Sequence, residues 1–430
     1  VREGLASSWA LRLEQPHRLV SLLDRFESPT FESRVSYLAH GNGRSYGDSC
    51  LNVGQGLLLT RGLDRFMRFD AERGVIRCEA GVLLDSILEV IVPKGWFLPV
   101  TPGTSFVTVG GAIANDVHGK NHHVAGTFGR HVRELELLRS DGSVRVCSRQ
   151  VEPELFAATI GGLGLTGLIR WAEFDLKKIP GEFVDGEAIK FETLEQFAAL
   201  SAESDGPFEY TVSWIDCLSK GGRGVFSRGN HSAQPGGVRR ARALAVPVTP
   251  PVSLVNSWSV RAMNTALYRK QWRGRIAQRW HYRSFFYPLD GIHGWNRLYG
   301  PRGFFQFQCA LPPESALHAL PEMLGAIRAA KQGSFLAVLK QFGISESPGL
   351  LSFPRAGMTL AVDFPNRGPE TLRLLESLQR ITVEARGALY PAKDATMSAS
   401  AFRSSFPALE RFSASIDPNF SSSFWRRVTA

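Results

Sequence analysis

Gly41-Asn42-Gly43-Arg44-Ser45-Tyr46-Gly47-Asp48 and, about sixty residues on, Thr101-Pro102-Gly103-Thr104 running into Thr108-Val109-Gly110-Gly111 decide how this chain is read. Each stretch sets several backbone N–H groups where no side chain blocks approach, and such a nest suits a phosphate group. Ser45, Thr104 and Thr108 add hydroxyl donors. Two nests can line a long anionic cofactor from both sides. The run that follows, Asn115-Asp116-Val117-His118-Gly119-Lys120-Asn121-His122-His123, puts titratable groups beside them.

The 430 residues are 43% hydrophobic and 21% charged, enough for two domains and their cores. No run of eighteen apolar residues predicts a membrane span. The first residues show no apolar stretch before a small-residue cleavage site, so no signal peptide is expected. Five scattered cysteines, Cys50, Cys78, Cys147, Cys217 and Cys309, form no C-x-x-C pair and predict reduced thiols. The His-rich run lacks a carboxylate or thiol at metal-ligand spacing, so no metal is expected. The net charge of +10 favours an anionic partner. No nucleic-acid module accompanies that charge, which argues against nucleic acid. Between Arg261 and Arg283 there are seven cations and no acid, interleaved with Trp258, Tyr268, Trp272, Trp280 and Tyr282. That mixture suits an anionic membrane surface, and equally the solvated face of an ordinary helix.

Local patterns predict a strand over 75–80, a helix over 82–92 and a hairpin over 132–147 turning at Asp141-Gly142. A helix over 152–160 and a strand over 168–176 follow. Between them Gly162-Leu163-Gly164-Leu165-Thr166-Gly167 matches G-x-G-x-x-G. A nicotinamide-type fingerprint needs a strand before the glycines and a helix after. Here the order is reversed, so a Rossmann domain is disfavoured and a tight turn beside a cofactor is left. The pattern changes near Lys178-Ile179-Pro180-Gly181, where a domain boundary is expected. Beyond it, strands over 209–215, 303–311, 337–342 and 358–364 and helices over 313–331 and 369–386 predict an α+β domain. Residues 232–251 read as a mobile loop.

A flavin dinucleotide fits the paired nests best, because its diphosphate wants converging N–H donors and its flat ring wants close backbone approach. The first loop resembles the flavin loop of the vanillyl-alcohol oxidase (PCMH-type FAD-binding) superfamily. Thr101–Thr104, Thr108–Ile113 and Asp116–His123 resemble more closely the decaprenylphosphoryl-β-D-ribose 2′-oxidase family. The likeness continues through Trp214, Tyr287–Asp290, Gln306–Gln308, Val338–Gly343, Val362–Pro365 and Tyr390–Asp394. It implies an α+β architecture: a two-part FAD-binding domain, 1–180 completed by 387–430, with a substrate domain, 181–386, inserted. Arg44 stands where many relatives carry a histidine bonded to the flavin, so FAD is expected to be non-covalent.

On this resemblance the flavin contacts are Gly41, Asn42, Gly43, Arg44, Ser45, Tyr46, Gly47 and Asp48 from the first loop and Gly103, Thr108, Val109, Gly110 and Gly111 from the second. Asn115, Asp116, Val117, His118, Leu168 and Tyr390 complete them. Oxidising a carbinol needs a base for the O–H proton. Lys393 is the candidate, with Lys340 as cationic neighbour or phosphate ligand and His118 orienting the hydroxyl. Tyr46, Lys120, Trp214, Tyr287, Gln306, Gln308, Thr359 and Ala361 are the expected substrate contacts. For Trp214 and Tyr287 the reading as plain strand residues facing a core or solvent is stronger than for the others. Other members carry Asn at the position of Thr359 and Cys at that of Ala361, which alters hydrogen bonding near the sugar.

The expected reaction is FAD-dependent oxidation of a sugar secondary alcohol to a ketone, at the 2-hydroxyl of a polyprenyl-phosphoryl ribose used in cell-wall biogenesis. A soluble alditol or aldonolactone oxidase is the alternative. The implied partners are a lipid-phosphate-linked sugar, a nicotinamide-dependent reductase and a membrane surface. The expected location is the cytoplasm or the membrane periphery, the periplasm being left open.

Overall fold

The computed structural model describes residues 2–10, 14–236 and 244–430. Three sheets organise the chain. The first joins Arg2–Ala6, Gln15–Ser21, Gly56–Leu59 and Tyr37–His40, in that order, with the last three parallel. The second is antiparallel and runs Phe66–Asp70, Val75–Glu79, Leu168–Asp175, Val132–Leu138, Val144–Ser148. Helix Leu84–Ile91 lays Leu84, Ile87, Leu88 and Ile91 onto its core, the i, i+3, i+4, i+7 stripe of an amphipathic helix.

The third sheet is antiparallel and eight-stranded. From edge to edge it runs Arg275–His281, Phe183–Phe191, Gly224–Ser232, Tyr210–Ile215, Ala337–Phe342, Gly357–Pro365, Phe304–Leu311, Ala388–Leu389. Side chains alternate faces along each strand. Leu339, Leu360, Val362, Phe307 and Cys309 point one way, where helices Pro313–Ala329 and Pro369–Glu384 cover them with Met323, Leu324, Leu375 and Leu378. The intervening Lys340, Ala361, Asp363, Gln306 and Gln308 are thereby turned to the opposite face, which borders a large cavity.

The elements expected from periodicity are present within one or two residues, including the hairpin turning at Asp141-Gly142, where Gly142 has φ +83°. The expected loop over 232–251 lies partly outside the described residues. Its described part is not all loop, since Leu244–Ala245 pairs in parallel with Ile292–His293. Among the described residues no helix is long and apolar enough to cross a membrane.

Candidate active site

The two glycine loops touch. A Cβ at Gly41 would lie 2.4 Å from Thr108 Oγ1, and Asn42 Nδ2 donates to Phe106 O at 2.8 Å. They are not equivalent. Between Asn42 and Tyr46, only Tyr46 N–H is hydrogen-bonded within the protein among the described residues, to Ala392 O at 2.8 Å. The other amides are left for a ligand. In the second loop Val109 and Gly110 donate to Val82 O and Ala80 O, and Gly111 to Thr108 Oγ1 at 3.1 Å. Thr108 Oγ1 therefore caps the helix with its own proton left over, and the amides of Val109, Gly110 and Gly111 are spent within the protein. At Gly103 an added Cβ meets no protein atom within 4 Å, so its missing side chain leaves open space in the cavity.

Both loops border one cavity of about 1450 Å³. It is also bordered by Leu163, Gly164 and Gly167 of the reversed-order glycine turn. There Leu163 takes φ +57° and Gly164 +75°. Arg44 stacks its guanidinium over Trp9 at 4.4 Å. Tyr390 stacks on Phe353 at 4.5 Å and 15°, and its hydroxyl donates to Asn115 O at 3.1 Å. A donor-rich loop facing a glycine-floored slot matches a diphosphate joined to a flat ring. The residues present thus fit FAD, and Asn42–Ser45 offer the amides that would hold its diphosphate.

The groups expected to react gather at one end. Lys393 follows the turn Tyr390-Pro391-Ala392, which packs tightly on the first loop: a Cβ at Gly47 would lie 1.5 Å from Asp394 O. Asp394 accepts from Met397 N and Thr396 N and pairs with Arg427 at 3.1 Å, which fixes the turn. Lys393 Nζ sits 3.8 Å over the ring of Tyr46. Burial lowers its pKa from 10.5 to about 8, while nearby Asp363 pulls it back up. Asp363 is itself buried, which raises its carboxyl to about 7. One of its oxygens accepts from Gln306; the other is buried beside the hydroxyl of Tyr299.

His118 is held from both sides. Gln308 Nε2 lies 3.0 Å from His118 Nε2 and 3.1 Å from Thr359 Oγ1, and Lys340 Nζ lies 3.2 Å from His118 Nδ1. Burial, then the charge of Lys340, holds the imidazole pKa well below its usual value. A neutral imidazole has one donor and one acceptor. With the Gln308 amide nitrogen at Nε2, the ring proton sits on Nδ1 and Lys340 accepts it as a neutral amine. That agrees with Lys340, whose pKa burial and then the charge of Lys393 lower to about 7. Lys120 is likewise brought to about 7, by burial and then by Lys340, while hydrogen-bonded to Phe285 O.

Of the expected site residues, Lys393, His118, Lys340, Lys120, Tyr46, Trp214, Gln306, Gln308 and Ala361 border this cavity, as do Gly41–Tyr46, Gly103, Thr108, Gly110, Gly111, Asn115, Val117 and Tyr390. Seven do not. Gly47 is pressed against Asp394, and Asp48 is paired with Arg427 at 2.7 Å. Val109 and Leu168 lie in hydrophobic cores. Asp116 is buried and ties its loop to Gly129 N at 2.8 Å and to Ser347 and Ser352. Tyr287 is a core residue bonded to Thr101 Oγ1 at 2.6 Å. Thr359 is buried behind Gln308. His122 and His123 are internal braces, through Gly343 N at 3.2 Å and Phe208 O at 2.9 Å. Asp363 was missed as a site residue. Its signal was the single charged residue in the strand Gly357–Pro365.

Residues 31–148 match the family described as "FAD binding domain". The chain is 34% identical over 414 residues to decaprenylphosphoryl-β-D-ribose oxidase of Mycolicibacterium smegmatis, covering 91% of this chain and 88% of that protein. It is 31% identical over 376 residues to an uncharacterized protein in the mprA 5′ region of Streptomyces coelicolor, covering 81% of this chain and all of that one. A shorter likeness, 32% over 133 residues, is to L-gulonolactone oxidase of Mus musculus, covering 30% of this chain and 29% of the relative.

Proposed function

Because the chain belongs to the decaprenylphosphoryl-β-D-ribose oxidase family of FAD-dependent oxidoreductases, we propose that it oxidises the 2-hydroxyl of a polyprenyl-phosphoryl pentose to a ketone. The flavin, held without a covalent bond, supplies the acceptor for the hydride that leaves the carbinol carbon. Lys393, as the neutral amine that its burial favours, takes the hydroxyl proton. His118, kept neutral and anchored by Gln308, orients that hydroxyl through its Nδ1–H once Lys340 turns to the phosphate. Gln306, itself held by Asp363, receives a second sugar hydroxyl. Lys120 and Lys340 receive the phosphate, whose negative charge raises both amines' pKa and recharges them.

The observation that carries this reading is the convergence of three half-buried lysines and a neutral histidine in one cavity beside the glycine loops. Depressed amines serve both a base and an anion site. Membrane association is supported by residues 244–273. Trp258 is 83% exposed and Trp272 is 72% exposed. Arg275, Arg279 and Arg283 are tied up in ion pairs with Glu187, Asp185 and Asp85. Arg261, Arg269, Lys270 and Arg273 have no ion-pair partner among the described residues, which leaves their charge for a surface. A separate nicotinamide-dependent reductase would complete an epimerisation by reducing the ketone.

Anaerobic mixing of the FAD-loaded protein with polyprenyl-phosphoryl pentoses and with free alditols tests the proposal. Bleaching of the flavin band by the lipid-phosphate sugars is expected. Bleaching by free polyols alone would overturn it in favour of a soluble alditol or aldonolactone oxidase.

A further inference from the structure

The cavity is larger than the reacting centre needs. It continues away from His118 over the open face of the eight-stranded sheet. The strand register traces its floor. Gln308 pairs with Ala361, Ala361 with Val338, Val338 with Trp214, and Trp214 with Val225. Residues paired in this way share a face. A second row, Val212–Ser227–Ala188–Ile276, carries the floor to the edge strand. All nine residues border the cavity, and beyond Gln308 none is charged.

Helix Ser257–Lys270 forms the far rim. It buries only Val260 and Asn264 in the protein. Met263, Leu267 and Lys270, spaced four and three apart, border the cavity. Met263 is 51% exposed and Leu267 is 37% exposed, so the apolar floor runs out to solvent under this helix. A cationic pocket at one end, an apolar trough, and an open rim carrying a lysine form a gradient that suits an anionic head on a long hydrocarbon tail.

The geometry points to this trough as the seat of the substrate's isoprenoid chain, threaded from the lysine cluster across the sheet and out beneath helix 257–270. This rests on the proposed substrate class and adds where the lipid lies and how much of it is read. From the Gln308 strand to the Arg275 strand there are six inter-strand steps, roughly 29 Å. The phosphate and sugar occupy about the first two steps. The remaining ~19 Å hold about four isoprene units, and units beyond them leave the protein.

The test uses the full-length, FAD-loaded enzyme with ribose-phosphoryl lipids of one to ten isoprene units. In the wild type, KM falls about tenfold or more per added unit up to about four units, then levels. Ser227 makes no contact with the reacting groups, and Ser227→Trp fills the trough midway. It is expected to raise KM for the four-unit substrate at least tenfold, leaving kcat and the one-unit KM within about twofold, with Ser227→Ala behaving as wild type. Binding of geranylgeranyl phosphate, followed by quenching of tryptophan fluorescence, is read without turnover and is expected to weaken at least tenfold in the Trp variant. A wild-type KM independent of tail length, or equal binding of geranylgeranyl phosphate by both proteins, overturns the channel. The wild-type series alone decides if Ser227→Trp does not fold. Failure of every lipid-phosphate sugar to bleach the flavin overturns the substrate class instead, while geranylgeranyl phosphate binding still reports on the trough.

Discussion

Replacing Lys393 by Met removes the amine and keeps nearly the same stem. At pH 7 a lysine of ordinary basicity is neutral in about 0.03% of molecules, and one near 8 in about 9%, so burial enriches the competent base about 300-fold, roughly 3 kcal/mol. Losing the base altogether is expected to slow flavin reduction about 10²- to 10⁴-fold. Anaerobic stopped-flow absorbance is the assay. The wild-type rate should climb with pH to a plateau above about 8, the neutral amine being the active form. The Met variant should be slow and flat across that limb while retaining its flavin. Stability gives a second readout. The folded protein releases this proton near 8 and the unfolded chain near 10.5, so between those values the unfolded state binds more protons and wild-type stability rises with pH. Below that window the buried ammonium is a burden that Met lacks, so the variant should melt at the same temperature or higher at pH 7. A Met variant that keeps the pH limb, with a rate within threefold of wild type, would refute the role of Lys393.

Asp363→Asn removes the negative charge that raises the Lys393 pKa. The limb should move to lower pH by about one, and Asp363→Glu should restore it; an unmoved limb in the Asn variant would separate Asp363 from the base. Gly47→Ala drives a methyl into the Asp394 carbonyl, a backbone clash that no rotamer change relieves. It should cost about 3 kcal/mol in a denaturant melt and slow flavin reduction by ~10² through displacement of Lys393, and a melt identical to wild type would contradict the packing described. The double change Trp258→Ser with Trp272→Ser should weaken co-sedimentation with anionic vesicles at least tenfold without altering turnover of a one-isoprene substrate; unchanged sedimentation would remove this face from the membrane.

Local chemistry was legible in the residues alone. The first nest, the Asp-Gly hairpin, the reversed glycine turn and the helix 84–91 stripe depend on backbone freedom and side-chain period within a few residues. Lys393, His118 and the two glutamines could be singled out because they sit in short motifs. The sequence did not distinguish Tyr287 and Thr359, which support the site from behind, from residues that face it, because facing depends on packing against distant segments. Nor could it reveal which amides stay free: Gly110 and Val109 spend theirs on Ala80 and Val82, some thirty residues earlier. Asp363 acquires its raised pKa, and Lys393 and Lys340 their lowered ones, only when strands 304–311, 337–342 and 357–365 pair and the turn at 390–394 closes over them. A pKa set by burial belongs to the surroundings of a group, and a trough floor belongs to a register of strands. The primary structure therefore determined the cofactor loop and the chemical types at the centre, whereas tertiary pairing alone decided their protonation and the path left open for a lipid.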